Sequence, residues 1–303
     1  MGIDTVFLAG VTAASCVRAT AVDAFFLGYD VQIIKSAVAA STPAQLKTSL
    51  AEISQHYAVI IHHRDLEQIL FDPTLPTVYY VNGSIPSWRV QLLLAEKRVA
   101  YNPRRVHVMS TPKETRTPQF VEINTRCKTP VLVESDGTKI IESQAILQYL
   151  DVYYPPSFTP MTTDKEAYRL CLQRFHESEN LHNACEGLEY GFLDPSDIDS
   201  AKETAMIDSL GATMEELGFW ETYTRQTDYV AGNDFTIADC SFYPVIQYLV
   251  HRGLKLDGEE WHSLRAYVER VSARNGEIEA APVGWKKTGK VDLFAKASRL
   301  KGV

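Results

Sequence analysis

The spacing of apolar positions changes twice along the chain, and each change marks a different architecture. As far as Leu70, short apolar runs alternate with helical periods: Thr5–Ala9, Val31–Ile34 and Ala58–Ile61 read as strands, Ser15–Leu27 and Ala44–Tyr57 as helices. That βαβαβ order predicts half of a parallel α/β sheet, with apolar faces that need cover from the rest of the chain or from a second subunit. The stretch Asp72-Pro73-Thr74-Leu75-Pro76 reads as a linker. Next come a strand at Thr77–Tyr80, a loop at Gly83–Pro86, a helix at Ser87–Lys97 striped by Val90, Leu93, Leu94 and Lys97, and a strand at Arg105–Val108. Pro130 heads the apolar run Val131–Val133, and Ser135-Asp136-Gly137 turns it into Lys139–Ile141. A helix carrying Ala145, Ile146, Tyr149 and Leu150 closes this part. From Thr163 the strand signal fades and helical periods take over, among them Tyr168, Leu172, Phe175 and Leu264, Tyr267, Val268, Val271. The predicted fold is therefore α/β followed by all-α, with domains at residues 1–73, 77–157 and 160–303.

Local signals sharpen four places. Ser84 stands where a strand turns into a helix, beside the unpaired N–H groups and positive dipole end that favour a thiolate. Pro130 has no ladder N–H, so it suits a strand start or a cis turn that directs the Thr129 backbone toward a ligand; a peptide could pair there. Ser143 can cap the following helix, while Glu142 beside it is an acceptor for an ammonium and the helix start suits a carboxylate. Further on, Asp234-Phe235-Thr236-Ile237-Ala238-Asp239 predicts a helix start with Thr236 as N-cap, Asp239 closing a capping box and Phe235 placed for a staple.

Composition changes this picture little. At 303 residues, 45% hydrophobic and 22% charged, the chain can hold two or three cores, and a net charge of −8 argues against a nucleic-acid partner. Between Arg89 and Lys128, nine basic residues stand against three Glu, read as a solvated face or as a mild electropositive surround for an anionic ligand. Five cysteines without close pairs fit a reducing cytoplasm rather than a disulfide framework, and no apolar run reaches the roughly 20 residues of a bilayer span, so no membrane is expected.

Taken together, the β-α-β then β-β-α order, the proline loop at Lys128-Thr129-Pro130 and the pair Glu142-Ser143 resemble the thioredoxin-like domain of cytosolic glutathione S-transferases. The segment Ser84-Ile85-Pro86-Ser87-Trp88-Arg89-Val90 is most similar to the Ser-Ser-Cys-x-Trp-Arg-Val motif of the zeta class, the maleylacetoacetate isomerases, with Ile85 and Pro86 in place of its second serine and cysteine. The 234–239 hexad is similar to the capping motif of that family's C-terminal domain. The resemblance implies glutathione as cofactor, with Ser84 as the catalytic residue at its thiol and Lys128, Thr129, Pro130, Glu142 and Ser143 holding the rest. It implies an electrophilic, apolar small-molecule substrate against His176, Asn180, Asn183, Tyr190 and Phe192, and a homodimer. The expected reaction is addition of the thiolate to a conjugated electrophile, ending in conjugation or, if glutathione is expelled, in cis–trans isomerisation. The alternative is a non-catalytic glutathione-fold module that binds or regulates.

The segment Leu8 to Ala21, with Gly28-Tyr29, resembles the nucleophile segment of isochorismatase-like cysteine hydrolases, with Cys16 at the attacking thiol. The aspartate and lysine of that family have no counterpart here, so a truncated, idle segment is expected. Cys127 without a CxxC partner reads as a loop cysteine, and His62-His63 as a strand-end accident. His176, Glu177, His182 and Glu186 lack the i, i+4 histidine pair of a zinc helix, so no metal is expected.

Overall fold

The computed structural model describes residues 3–62, 66, 70–161, 163–283, 285 and 291–301, and divides into two compact units, Met1–Pro73 and Thr74–Val303. In the first, β1 (Thr5–Val11), β2 (Asp30–Ala39) and β3 (Val59–Ile61) form a parallel sheet in that order, with Val6 opposite Val31 and Ile33 opposite Ile60. A π-helical turn (Ala13–Val17), α1 (Arg18–Phe26) and α2 (Pro43–His56) connect the strands, and Ala13, Val17, Ala21, Leu50 and Ile53 share a buried core with Val31 and Ile33. Thr42 starts α2 by accepting from the Gln45 N–H at 3.2 Å, and Pro43 sits in the first turn, where an N–H has no intrahelical partner. Of the paired histidines, His62 follows β3 and His63 lies outside the described residues.

The second unit begins with a thioredoxin-like mixed sheet in the order β5-β4-β6-β7: β4 (Thr77–Tyr80), β5 (Asn102–Arg105), β6 (Val131–Val133) and β7 (Lys139–Ile141). Strand β4 runs parallel to β5 and antiparallel to β6, which is antiparallel to β7. Helix α3 (Ile85–Lys97) crosses from β4 to β5, short α4 (Pro118–Ile123) precedes β6, and α5 (Ser143–Tyr153) follows β7. The rest is helical: α6 (Lys165–Ala184), α7 (Ser200–Thr224), α8 (Ile237–His251), α9 (His262–Ser272), α10 (Asn275–Ala280) and α11 (Leu293–Lys301).

Three sequence expectations shift. The strand predicted at Arg105–Val108 lies at Asn102–Arg105, because the Asn102 N–H donates to the Pro76 carbonyl at 2.8 Å and its side chain to the Leu75 carbonyl at 3.2 Å, fixing it opposite Thr77. The apolar signal of Val106 belongs instead to a small core with Phe120 and Val131. Helix α3 starts at Ile85 rather than Ser87, since Pro86 in the first turn gives up no helical hydrogen bond. Glu142, not Ser143, occupies the N-cap of α5, and Ser143 is the first helical residue.

Helix α3 is buried on almost every side: Trp88, Val90, Leu92, Leu93 and Leu94 are at most 2% exposed. It therefore also buries polar groups, and Trp88, Arg89 and Glu96 find partners in the helical part. Trp88 Nε1 donates to Glu277 at 3.2 Å, Arg89 Nε to the Ser241 carbonyl at 2.8 Å and Arg89 Nη1 to Glu179, while Glu96 receives Arg274 at 2.8 and 2.6 Å. Lys97 ties the end of α3 to the end of α5 through Asp151 at 2.9 Å and the Tyr154 carbonyl at 2.8 Å. Burial pushes the Glu277 carboxyl up to about 8, against the opposing pull of hydrogen bonds from Tyr243 and Trp88.

The central helix α8 starts with the capping box read from the sequence. Asp239 accepts from the Thr236 N–H at 2.8 Å and hydroxyl at 3.2 Å and from the Val230 N–H at 3.1 Å, and burial raises its carboxyl to about 6. Asp239→Ala strands these buried donors, and chemical denaturation should show a loss on the order of 3 kcal/mol. A change below about 0.5 kcal/mol would mean that the box is dispensable.

Glu277 generates a pH test. Its folded-state value near 8 exceeds its ordinary 4.5, so folding retains a proton that the unfolded chain releases between those values. Its contribution is full below pH 4.5 and is lost as pH rises through about 8. Glu277→Gln should flatten this decline and exceed the wild type in stability above pH 8, by on the order of 2 kcal/mol in denaturant titrations. Parallel pH profiles for the two proteins would contradict a protonated Glu277.

Candidate functional site

Strand register decides which loops meet. Tyr79 stands opposite Val131 in the β4–β6 pair, and Val131 opposite Ile141 in the β6–β7 pair. The C-terminal end of β4, the N-terminal end of β6 and the C-terminal end of β7 therefore emerge at one end of the sheet. From that end leave Val81–Ser84, Lys128–Pro130 and Glu142–Ser143, the segments singled out in the sequence.

The first segment separates its two serines by task. Ser87 is fully buried, and its hydroxyl accepts from the Val81 N–H at 3.2 Å, bracing the loop. Ser84 is half-buried at the N-cap of α3, yet its hydroxyl makes no capping bond. Its N–H donates to Val81 O at 3.2 Å and its carbonyl accepts from Trp88 N at 2.9 Å, so the backbone is held while the side chain is left over. Pro86 brings no N–H, leaving Ile85 and Ser87 as the donors of the first turn.

The second segment is shaped by Asn124, which sequence reasoning passed over. This buried side chain donates to the Lys128 carbonyl at 2.8 Å and accepts from the Arg126 N–H at 3.0 Å, closing a turn in which Cys127 takes a φ of 56°. Lys128 is exposed, Thr129 half-buried and Pro130 buried, and the Thr129–Pro130 peptide is cis. An Asn four residues ahead of the Lys-Thr-Pro run was the available signal. In the third segment Glu142 is exposed at φ 69°, ψ 117°, at the N-cap of α5, and again its side chain does not cap the helix. Thr42, Thr117, Asp164, Asp199 and Thr236 all cap theirs. One cap-type hydroxyl and one carboxylate at this end of the sheet are thus unused by their own helices, beside N–H groups that suit anionic ligand atoms.

On the helical side, a groove of about 770 Å³ is lined by Ile85, the residue after Ser84, together with His182, Asn183, Glu186 and Tyr190. Asn183 and Tyr190 share this wall, whereas His176, Asn180 and Phe192, all exposed, lie outside its lining. Below it, burial alone would raise the Glu179 carboxyl, but the hydrogen bond from His182 and the charge and hydrogen bond of Arg89 hold it down at about 2. Burial in turn lowers the Arg89 guanidinium against the opposing pull of Glu179. Among the described residues no group of three His, Cys, Asp or Glu could hold a metal, and no helix is long and apolar enough to cross a membrane.

In the first unit Cys16 is exposed in the turn before α1. The hydrogen bond to its Sγ among the described residues comes from the Ser15 hydroxyl at 3.8 Å, and Ser15 itself pairs with Thr12 at 2.5 Å. Neither hydroxyl is a base of the kind that would take a thiol proton.

Comparison with known proteins gives three family matches: an isochorismatase domain at residues 1–65, a glutathione S-transferase N-terminal domain at 78–158 and a glutathione S-transferase C-terminal domain at 182–275. Glutathione S-transferase A of Pleuronectes platessa is 28% identical over 69% of this chain and 92% of its own length. Probable maleylacetoacetate isomerase of Caenorhabditis elegans is 29% identical over 71% and 96%. The crystal structure of a glutathione S-transferase from the Antarctic clam Laternula elliptica superposes with a TM-score of 0.64 at 27% identity, covering 74% of this chain and 99% of that one.

Proposed function

We propose that this chain, which belongs to the glutathione S-transferase family through its N- and C-terminal domains and carries an isochorismatase-domain segment ahead of them, uses Ser84 to hold a glutathione thiolate. The observation that carries this reading is the pair of unused caps. Ser84, a side chain able to cap, and Glu142, a carboxylate, stand at helix starts at the same end of one sheet, and neither caps its helix. A tripeptide cofactor with a thiol on its central residue and an α-amino acid at one end matches both positions: hydroxyl and first-turn N–H groups for the sulfur, carboxylate for the ammonium, α5 N–H groups for the carboxylate.

The residues then act as follows. The Ser84 hydroxyl donates to the sulfur and favours its ionised form, aided by the positive end of α3. The Thr129 backbone, presented beside Pro130 and next to Lys128, pairs with the central peptide unit. Glu142 and Ser143 orient the γ-glutamyl end. When bound, glutathione supplies a nucleophilic thiolate that adds to a conjugated electrophile, giving conjugation if the new bond persists and cis–trans isomerisation if it breaks again after rotation. The groove at Ile85, His182, Asn183 and Tyr190 is the natural seat for that electrophile, apolar next to the sulfur and polar at its rim. The Ser84–Val90 segment and the likeness to a probable maleylacetoacetate isomerase both support the isomerase outcome.

Ser84→Ala should lower kcat near neutral pH by roughly tenfold to a hundredfold, the worth of one hydrogen bond to a charged partner, while the fold survives. The deficit should shrink at alkaline pH, where the thiol ionises unaided; a deficit constant with pH would remove the thiolate role. Mass analysis of products from conjugated enones decides the outcome: unchanged mass with glutathione required but not consumed supports isomerisation, and a product heavier by one glutathione supports conjugation.

Glu142→Ala should weaken glutathione binding by about tenfold or more in calorimetry, because an ammonium loses its carboxylate. Unchanged affinity would remove Glu142 from the site.

A further inference from the structure

The loop that presents Ser84 is held by a part of the chain 201 residues further on. The Asn82 amide meets the Val283 backbone in both directions: Nδ2 donates to its carbonyl at 3.1 Å, and Oδ1 accepts from its N–H at 3.0 Å. The next residue, Gly83, takes a φ of +82° and lies against Trp285 so closely that a Cβ there would stand 2.9 Å from Nε1 and 3.4 Å from Cε2 and Cζ2. Trp285 is fixed on its other sides. It stacks on His251 with ring centroids 4.0 Å apart and planes at 13°, and meets Trp88 edge-on at 5.1 Å. Trp88 is anchored through its indole N–H to Glu277, and its backbone N–H donates to the Ser84 carbonyl. Asn82, Gly83 and Ser84 are thus all tied, directly or through one residue, to the same cluster. Val283 and Trp285 lie beyond the stretch 182–275 that matches the C-terminal domain family.

A glycine at positive φ gives a loop freedom that a thiolate-holding hydroxyl cannot use. A misplacement of about 1 Å is enough to lose most of such a group's effect. We propose that Asn82, Val283 and Trp285 are positioning groups for Ser84, so that the C-terminal segment is a working part of the thiol site and sets how readily the bound thiol ionises. This inference rests on the role of Ser84 proposed above. The tight packing on Gly83 and the two-way amide contact are specific in the way a positioning device requires: each fixes backbone next to Ser84 without occupying its hydroxyl.

The test uses the full chain carrying Asn82→Ala, Trp285→Leu or Trp285→Phe. Amide hydrogen exchange at residues 81–84, measured without glutathione, reads the mechanical part. It should rise roughly tenfold in Asn82→Ala and Trp285→Leu and stay near wild type in Trp285→Phe. The pH midpoint of kcat reads the chemical part. It should move up by about half to one pH unit in the first two variants, toward the value of about 8.5 of a free thiol. Rate near neutral pH should fall roughly threefold to tenfold, recover at alkaline pH, and leave the KM for glutathione within about twofold. Unchanged exchange, or a loss of rate equal at every pH and accompanied only by a lower Tm, would overturn the proposal. Absence of glutathione-dependent turnover in the wild type would instead remove the function proposed above and the chemical part with it, leaving exchange to decide whether the segment fixes the loop.

Discussion

The antiparallel placement of β6 between β4 and β7 is the constraint on which the rest of residues 74–303 depends. With β6 reversed, the start of one strand lies beside the ends of two others, and two helices begin where three loops meet. Every helix start exposes N–H groups that need a partner. At Asp164, Asp199 and Thr236 the chain supplies that partner from its own side chains. At Ser84 and Glu142 it does not, and the unmet hydrogen-bonding capacity of those two ends is what the proposed glutathione site draws on.

Holding such an end rigid requires burial behind it, and α3 supplies that burial. Fully burying side chains such as Leu92, Leu93 and Trp88 is worth roughly 1.5–3 kcal/mol each. An isolated sheet-and-helix layer could not bury them on both sides, so α8 and α10 cover the far face and turn α3 into a core element shared by both parts. The contacts of Trp88, Arg89 and Glu96 with Glu277, Ser241, Glu179 and Arg274 then fix one orientation among the many that apolar packing alone would tolerate. A proton retained on Glu277 fits this role, since Trp88 and Tyr243 can donate to a neutral carboxyl without a buried charge remaining beside them.

Much of this was legible in the sequence wherever the cause is local. The Thr236–Asp239 box, the break at Pro130 and the helical stripe of Val90, Leu93 and Leu94 each need only a few neighbouring residues to act. Misplacements arose where a partner strand or a backbone conformation decides. Asn102-Pro103-Arg104-Arg105 carries no apolar alternation and becomes a strand through its pairing with β4, and Glu142 displaces Ser143 at the helix start by adopting positive φ. Nothing local marks Asn82 or Trp285, and Asn124 is marked only by its place four residues ahead of Lys128. Their importance comes from side chain to backbone contacts within a turn or across most of the chain, which periodicity does not encode. Cys16 shows the converse: a motif readable in sequence, standing in a half-sheet where, among the described residues, its sulfur receives the Ser15 hydroxyl.

The central claim is that this end of the sheet ionises a thiol. Ultraviolet difference absorption of the thiolate, recorded while the wild-type chain is titrated with glutathione near pH 7, tests it most directly. A saturable thiolate signal is expected, with a pH midpoint at least about one unit below the value near 8.5 of a free thiol. Saturable binding without a thiolate signal below pH 8 would contradict it.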